Sequence, residues 1–250
     1  FFWKNQNNLY FASEIKGLIA SGYEAKPNFK IWYDYLNFGK TDHNRHTFFK
    51  DIFQLLPGEY AVYKLNQNIK INKWYDFKKN ISNRNSTNNI KDEILDKLSD
   101  SIKINTRADV PLALSLSGGL DSSILMSLGI KKNIFNKNPN CYSVVFGNDF
   151  SEKDYINEST NLYKFKSNFI NFSKEEFKNS INPMIWSLES PSGGLMNCAL
   201  AKLCHQIKRD KYKIVLDGTG LDEGFGGYEL HHLKYLANLQ IENKKKFNFA

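Results

Sequence analysis

Three cysteines in 250 residues, Cys141, Cys198 and Cys204, are too few for a disulfide framework and lack the spacing of a zinc site. Reduced thiols in a cytoplasmic protein are the expectation, and Cys204-His205 reads as core packing on a helix rather than as a nucleophile with its base. No apolar run reaches the length of a membrane span, and no basic segment leads into a signal-type apolar core, so no membrane or targeting role is expected. The chain opens on Phe1 instead of Met and reads as part of something longer. A repeat of fixed period is absent, which excludes solenoids. Acidic residues are the minority: 26 Asp and Glu against 34 Lys and Arg leave a net charge of +8. The cations are scattered, apart from Lys244-Lys245-Lys246, so they are taken as a compositional bias with one solvated patch, and no nucleic-acid partner is expected.

What is present is globular. A hydrophobic share of 41% over this length suits two modest domains. Residues 1–77 read as the end of a mixed α+β domain: a strand near Leu9–Ala12, a short helix capped by Ser13 and ended by Gly22, and a helix over Asn28–Phe38 ended by Gly39. The apolar side of that second helix is Phe29, Trp32, Tyr33 and Leu36. A Pro57-Gly58 turn and a loop at 66–68 frame a hairpin. Residues 78–89 are polar and read as a linker. Beyond it Ile90, Ile94, Leu98 and Ile102 recur every four residues, the mark of an amphipathic helix. From there to residue 250, short apolar runs (111–116, 141–146, 169–172, 212–216) alternate with helical stretches. That alternation predicts an α/β fold, a doubly wound parallel sheet whose ligands sit at the carboxyl ends of its strands.

Glycine clusters where two of those strands end. Ser117-Gly118-Gly119-Leu120-Asp121-Ser122-Ser123 follows the first strand directly. A strand that breaks into two glycines and restarts as a helix gathers backbone N–H groups and a positive helix end at one point, which suits a phosphate. No Lys follows the glycines, so this is not the phosphate loop of the common nucleotide hydrolases. The plain alternative is a strand-to-helix turn capped by Asp121 or Ser122. The second cluster, Asp217-Gly218-Thr219-Gly220-Leu221-Asp222-Glu223-Gly224-Phe225-Gly226-Gly227-Tyr228, follows the last strand. Taken alone, its tandem acids are ordinary helix caps. Set opposite the first turn, Asp121 and Asp222 offer two hard carboxylates beside a polyphosphate, the setting in which Mg²⁺ is held mainly by phosphates and water.

These segments resemble the glutamine-hydrolysing asparagine synthetase family. Ser117–Ser123 is similar to the pyrophosphate loop S-G-G-x-D-S-S of adenylating ATP pyrophosphatases, and Asp217–Tyr228 to that family's S-G-x-G-x-D-E-x-F-G-G-Y segment. Phe11–Leu18, Leu55–Tyr60 and Asp109-Val110-Pro111 match in the same order. The resemblance implies the tail of an N-terminal-nucleophile glutaminase domain in residues 1–77 and an ATP pyrophosphatase-type synthetase domain, adenine nucleotide alpha-hydrolase-like, in 90–250. It implies that a carboxylate attacks the α-phosphorus of ATP, giving an acyl-adenylate and pyrophosphate, and that ammonia from glutamine displaces AMP. By the same resemblance Ser117, Gly118, Gly119, Asp121, Ser122 and Ser123 hold the pyrophosphate, and Leu116, Val144, Asp217 and Gly218 line the adenosine pocket. Asp121 and Asp222 hold Mg²⁺. Glu189 falls where the family carries an acid near the acyl pocket, with a solvent-facing helix-end Glu as the alternative. A homodimer is among the assemblies the resemblance admits.

The chain departs from the pattern at Thr219, which stands where the family has Glu beside the amine-activating site. A threonine hydroxyl is no general base near neutral pH, so Asp121, Glu189 and Thr219 are carried as the catalytic set with the acceptor left open: aspartate, or another carboxylate. The family's nucleophilic Cys is expected upstream of Phe1, and its late Lys beyond Ala250. Two other readings stand beside this one, an RNA-modifying ATP pyrophosphatase and a non-catalytic nucleotide-binding relative.

Overall fold

A computed structural model describes residues 1–5, 8–65, 67–80, 89–135, 139–147, 152–165, 167–191 and 194–242. The Lys244–Lys246 run and residues 81–88 of the expected linker lie outside these. The chain divides into two compact units, Phe1–Thr87 with Asn182–Ser192, and Asn88–Ile181 with Gly193–Ala250.

In the first unit β1 (Phe2–Asn5), β2 (Asn8–Phe11) and β3 (Ile52–Phe53) form an antiparallel sheet in the order β2-β1-β3. Helix α1 (Ile15–Ala20) buries Ile15 and Leu18 in a cluster with Tyr23 and Ile52. Its expected cap at Ser13 is not made: Glu14 is the capping residue, with no side-chain bond of its own. Helix α2 (Phe29–Phe38) ends at Gly39 in the left-handed region, as its sequence requires, yet its inner side differs from the expected aromatic stripe. Ile31 is the buried residue, Trp32 and Tyr35 pack edge-on to Phe48, and Phe29, Tyr33 and Leu36 stay exposed. The helical period was legible; the phase was decided by Phe48, a residue outside the helix. A hairpin of β4 (Glu59–Val62) and β5 (Lys70–Lys73) and one helical turn, α3 (Phe77–Asn80), complete the unit.

The second unit begins with the amphipathic helix α4 (Ile90–Asn105) and then alternates. Strand β6 (Leu112–Ser115), helix α5 (Leu120–Lys131), strand β7 (Asn140–Val145), helix α6 (Lys153–Leu162) and strand β8 (Ser167–Asn171) are followed by α7 (Lys174–Leu188), whose residues from Asn182 onward count with the first unit, and then by α8 (Leu195–Arg209), β9 (Ile214–Leu216), α9 (Leu221–Phe225) and α10 (Glu229–Glu242). The four strands are parallel in the order β8-β7-β6-β9. Strand period sorts the core into two layers. Leu114, Leu116 and Cys141 face α4 and α5 through Ile102, Leu125 and Met126, while Ala113 and Tyr142 face α8 through Leu203 and Ile207. Helices on both faces make this a doubly wound α/β sheet. Leu114 and Met126 are wholly shielded, each burial contributing about 1.5–3 kcal/mol. Burial pushes the Cys141 thiol up to about 12, which fits a packing role. No helix among the described residues is long and apolar enough to cross a membrane.

From β6 the chain adds β7 and then β8 on one side, and returns to the other side of β6 with β9. The strand order therefore reverses at β6, and a crevice opens there at the carboxyl ends of β6 and β9. Both glycine clusters sit at that crevice.

Candidate active site

The first turn owes its shape to Gly118, at φ +83, where a Cβ would also stand 3.0 Å from the Glu152 side chain. Gly119 then caps α5 in an extended conformation. The neighbouring serines brace the turn. Ser117 N–H donates to Ser122 Oγ (3.3 Å), Gly119 N–H to Ser117 Oγ (3.2 Å), and the Ser122 and Ser123 hydroxyls both donate to the Gly119 carbonyl (3.2 and 2.9 Å). The N–H groups of Gly118, Leu120 and Asp121 have no protein acceptor among the described residues. They are orphan donors at a helix N-terminus, the arrangement that receives an oxyanion.

The second turn is pressed onto the first. A Cβ on Gly218 would lie 2.7 Å from the Asp121 carbonyl carbon and 2.8 Å from the Ser122 nitrogen, so only glycine permits this approach. Asp222 N–H donates to Asp121 Oδ2 at 3.1 Å, tying the start of α9 to the start of α5. Asp217 turns back on its own loop, accepting the Thr219 N–H at 2.9 Å. Ser117, Asp121, Ser122, Asp217, Gly218, Thr219, Glu223 and Tyr228 share one cleft of about 240 Å³. A larger hollow of about 500 Å³ adjoins it across Asp217, Gly218 and Thr219, walled by α4, α5 and Phe225.

Leu116 and Val144 do not project into either hollow. The Leu116 side chain is buried in the α5 layer and Val144 packs in the α8 layer, so what these two offer at the strand ends is main chain. Glu189 is held within the first unit. It has φ +56, and its carboxylate accepts the N–H groups of Ile15 (2.6 Å) and Lys16 (2.5 Å) and pairs with the Lys16 ammonium (3.2 Å). This carboxylate is the cap that α1 lacks locally, supplied from 174 positions away. Glu189→Ala is expected to destabilise the first unit by about 1–2 kcal/mol, seen as a lower melting temperature. An unchanged melting curve would show that the cap contributes nothing.

Sequence reasoning missed Glu223 and Tyr228 as site residues. Main-chain N–H donation, and after it the Tyr228 hydroxyl donating to Oε1 at 3.1 Å, hold the Glu223 carboxyl below its usual range, and the same side-chain bond raises the phenol. The signal was there in the tandem acid at 222–223 and the tyrosine closing the glycine run. The fit of a divalent cation can be judged from the donor set. Among the described residues no three His, Cys, Asp or Glu gather to hold a metal alone. Asp121 lines the cleft, which has no Lys or Arg among its described lining residues, and Asp222 stands on the adjoining turn, tied to Asp121 by its N–H and with its carboxylate against Gly227. That set fits Mg²⁺ shared with phosphate oxygens and does not fit a cation caged by protein.

A parallel sheet with a lysine-free anion cradle at its switch point defines a nucleotide-type α/β unit. Within that class the family is shown: the asparagine synthase family profile matches residues 93–246, and the chain belongs to that family. It is 25% identical to the amidase chry2 of Gibberella zeae over 92% of this chain and 36% of that protein. It is 26% identical to the glutamine-hydrolysing asparagine synthetase 1 of Bacillus subtilis over 90% of this chain and 35% of that protein. The chain thus spans little more than a third of these curated relatives. Among solved structures it is similar to the U34-tRNA thiolase NcsA of Methanococcus maripaludis, at 16% identity and a TM-score of 0.38 over 64% of this chain and 56% of that one.

Proposed function

We propose that this chain carries the adenylating site of an ATP-dependent amide synthesis. Residues 90–250 are its synthetase part, 78–89 a linker, and 1–77 the tail of a glutaminase-like domain that obtains ammonia from glutamine. A carboxylate oxygen of the acceptor attacks the α-phosphorus of ATP, and pyrophosphate leaves. Charge builds on the departing oxygens, so donors fixed there before the reaction lower its barrier. The N–H groups of Gly118, Leu120 and Asp121 serve this purpose, and the hydroxyls of Ser117, Ser122 and Ser123 can exchange their loop partners for phosphate oxygens. Mg²⁺ held by Asp121 and Asp222 would neutralise part of the pyrophosphate charge. Main-chain groups of Leu116, Val144, Asp217 and Gly218 read the adenosine.

The observation that carries this reading is the Asp222 N–H bond to Asp121, which joins the two glycine turns at the switch point. Thr219, exposed in the same cleft, favours an acceptor other than aspartate, because the family's carboxylate is replaced there by a hydroxyl. The test is ATP–pyrophosphate exchange by the intact protein across a panel of amino, amino-sugar and peptide carboxylic acids. Exchange that requires one acid and Mg²⁺ is expected. Nucleotide binding without exchange on any acid would favour a non-catalytic relative, and tight, salt-dependent tRNA binding would favour the RNA-modifying alternative.

A further inference from the structure

Adenylation leaves two side chains of the cleft without a task, Glu223 and Tyr228. Their placement is built. The chain leaves α9 through Gly226 at φ +74, and a Cβ on Gly227 would fall 2.0 Å from Asp222 Oδ1, so the turn passes tightly by that carboxylate before delivering Tyr228. Gly227 N–H closes the turn on the Asp222 carbonyl at 2.8 Å. The Tyr228 ring stands edge-on to His231 at 5.2 Å, and its carbonyl accepts the His231 N–H at 2.9 Å. Its hydroxyl proton goes to Glu223. With that proton fixed, the direction of the phenolic lone pairs is fixed as well.

The two sides of the cleft therefore differ in what they can bind. At the start of α5 the unengaged groups are N–H donors, which suit phosphate. On the α9 side they are the Thr219 hydroxyl and the remaining lone pairs of the Tyr228 oxygen, beside a Glu223 carboxylate already held by Tyr228 and main-chain N–H groups, with no Lys or Arg among the described lining residues. A ligand carrying N–H donors fits there. Resting on the adenylation reading above, we propose that Tyr228 accepts an N–H hydrogen bond from the nitrogen nucleophile that attacks the acyl-adenylate, and that Glu223 is the positioning residue that orients it. In that step the nitrogen lone pair forms the C–N bond. The bond from the acyl carbon to the phosphate oxygen breaks, its electrons leave on AMP, and one N–H proton passes to water. An N–H bond to Tyr228 turns the lone pair toward the carbonyl carbon, which is an orientation effect on nitrogen capture and not on adenylation.

The test separates the two half-reactions in the intact protein, with ammonium chloride as nitrogen source. Tyr228→Phe keeps the ring on His231 and loses the phenolic oxygen; Glu223→Gln keeps the shape and loses the charge. Both are expected to retain ATP–pyrophosphate exchange within about twofold and to lower amide formation about tenfold at subsaturating ammonia, the scale of one lost hydrogen bond. The loss should lie mainly in KM for ammonia in Tyr228→Phe. Unchanged amide formation, or exchange and amide formation falling together, would overturn the proposal while leaving adenylation intact. A wild-type protein without exchange on any acid would instead overturn the adenylation reading, and this proposal with it.

Discussion

Asp121→Ala is expected to reduce ATP–pyrophosphate exchange by about two to three orders of magnitude, the scale of removing one preorganised charge-stabilising group from a reaction centre. Two effects would be lost together. The carboxylate holds the second turn through Asp222 N–H at 3.1 Å, and in the proposed site it would supply one of the two hard donors for a cation shared with phosphate. Asp121→Asn separates them, because an amide oxygen still accepts the Asp222 N–H but binds a divalent cation poorly. If charge is the larger part, Asn should be nearly as inactive as Ala, and raising Mg²⁺ should recover some activity in Asn only. Asp121 is half-buried, so the melting temperature should move by no more than the loss of one hydrogen bond, about 1 kcal/mol. Exchange by Asp121→Ala equal to wild type would remove Asp121 from the site.

The second unit was largely legible in the sequence because its central strands, β6 and β7, are the most buried and lie in apolar runs, and each strand is followed by a helix. Leu112–Ser115, Asn140–Val145, Ser167–Asn171 and Ile214–Leu216 fall on the four expected runs. Their order could not be read from period alone. It follows from where β9 returns, beside β6 and not beside β8, and that choice is what brings Asp222 to Asp121. The first unit was harder for a physical reason: its elements are short and their packing is decided by distant residues. β1 lies in a stretch mixing aromatics with Lys and Asn, and gains its pairing only when β2 and β3 flank it.

The same distinction governs the site. The turn at Ser117–Ser123 was legible because its shape is made by local backbone, and local backbone follows local glycines. Tyr228 and Glu223 lie five residues apart, and their bond depends on the two left-handed or crowded glycines between them. Glu189 was read as an acid near the acyl pocket, with a solvent-facing helix-end Glu as the alternative; it does follow a helix end, but its side chain is buried and the helix it caps is α1, 174 positions earlier in the chain. No local pattern carries that information.

Gly218→Ala is expected to impair the site almost as severely as loss of Asp121, through space alone. Gly218 does not occupy the left-handed region, so alanine meets no conformational penalty there. What it meets is backbone: the added methyl would stand 2.7 Å from the Asp121 carbonyl carbon and 2.8 Å from Asp121 Cβ and Ser122 N. A helix start cannot yield as a flexible side chain can, so the β9 turn must retreat, and the Asp222 N–H bond to Asp121 lengthens with it. Overpacking of this kind costs about 1–3 kcal/mol, and a displacement on the order of 1 Å at a reacting centre lowers rate by about a hundredfold. Gly224→Ala is the internal control. Gly224 lies in α9, no neighbour stands within 4 Å of its added methyl, and replacing a helical glycine by alanine contributes about 0.5–1 kcal/mol of stability. Exchange should therefore survive at Gly224 and fail at Gly218. Equal activity in the two variants would mean that the turns are not locked together in the working enzyme, and that the cradle at Ser117–Ser123 acts without its partner.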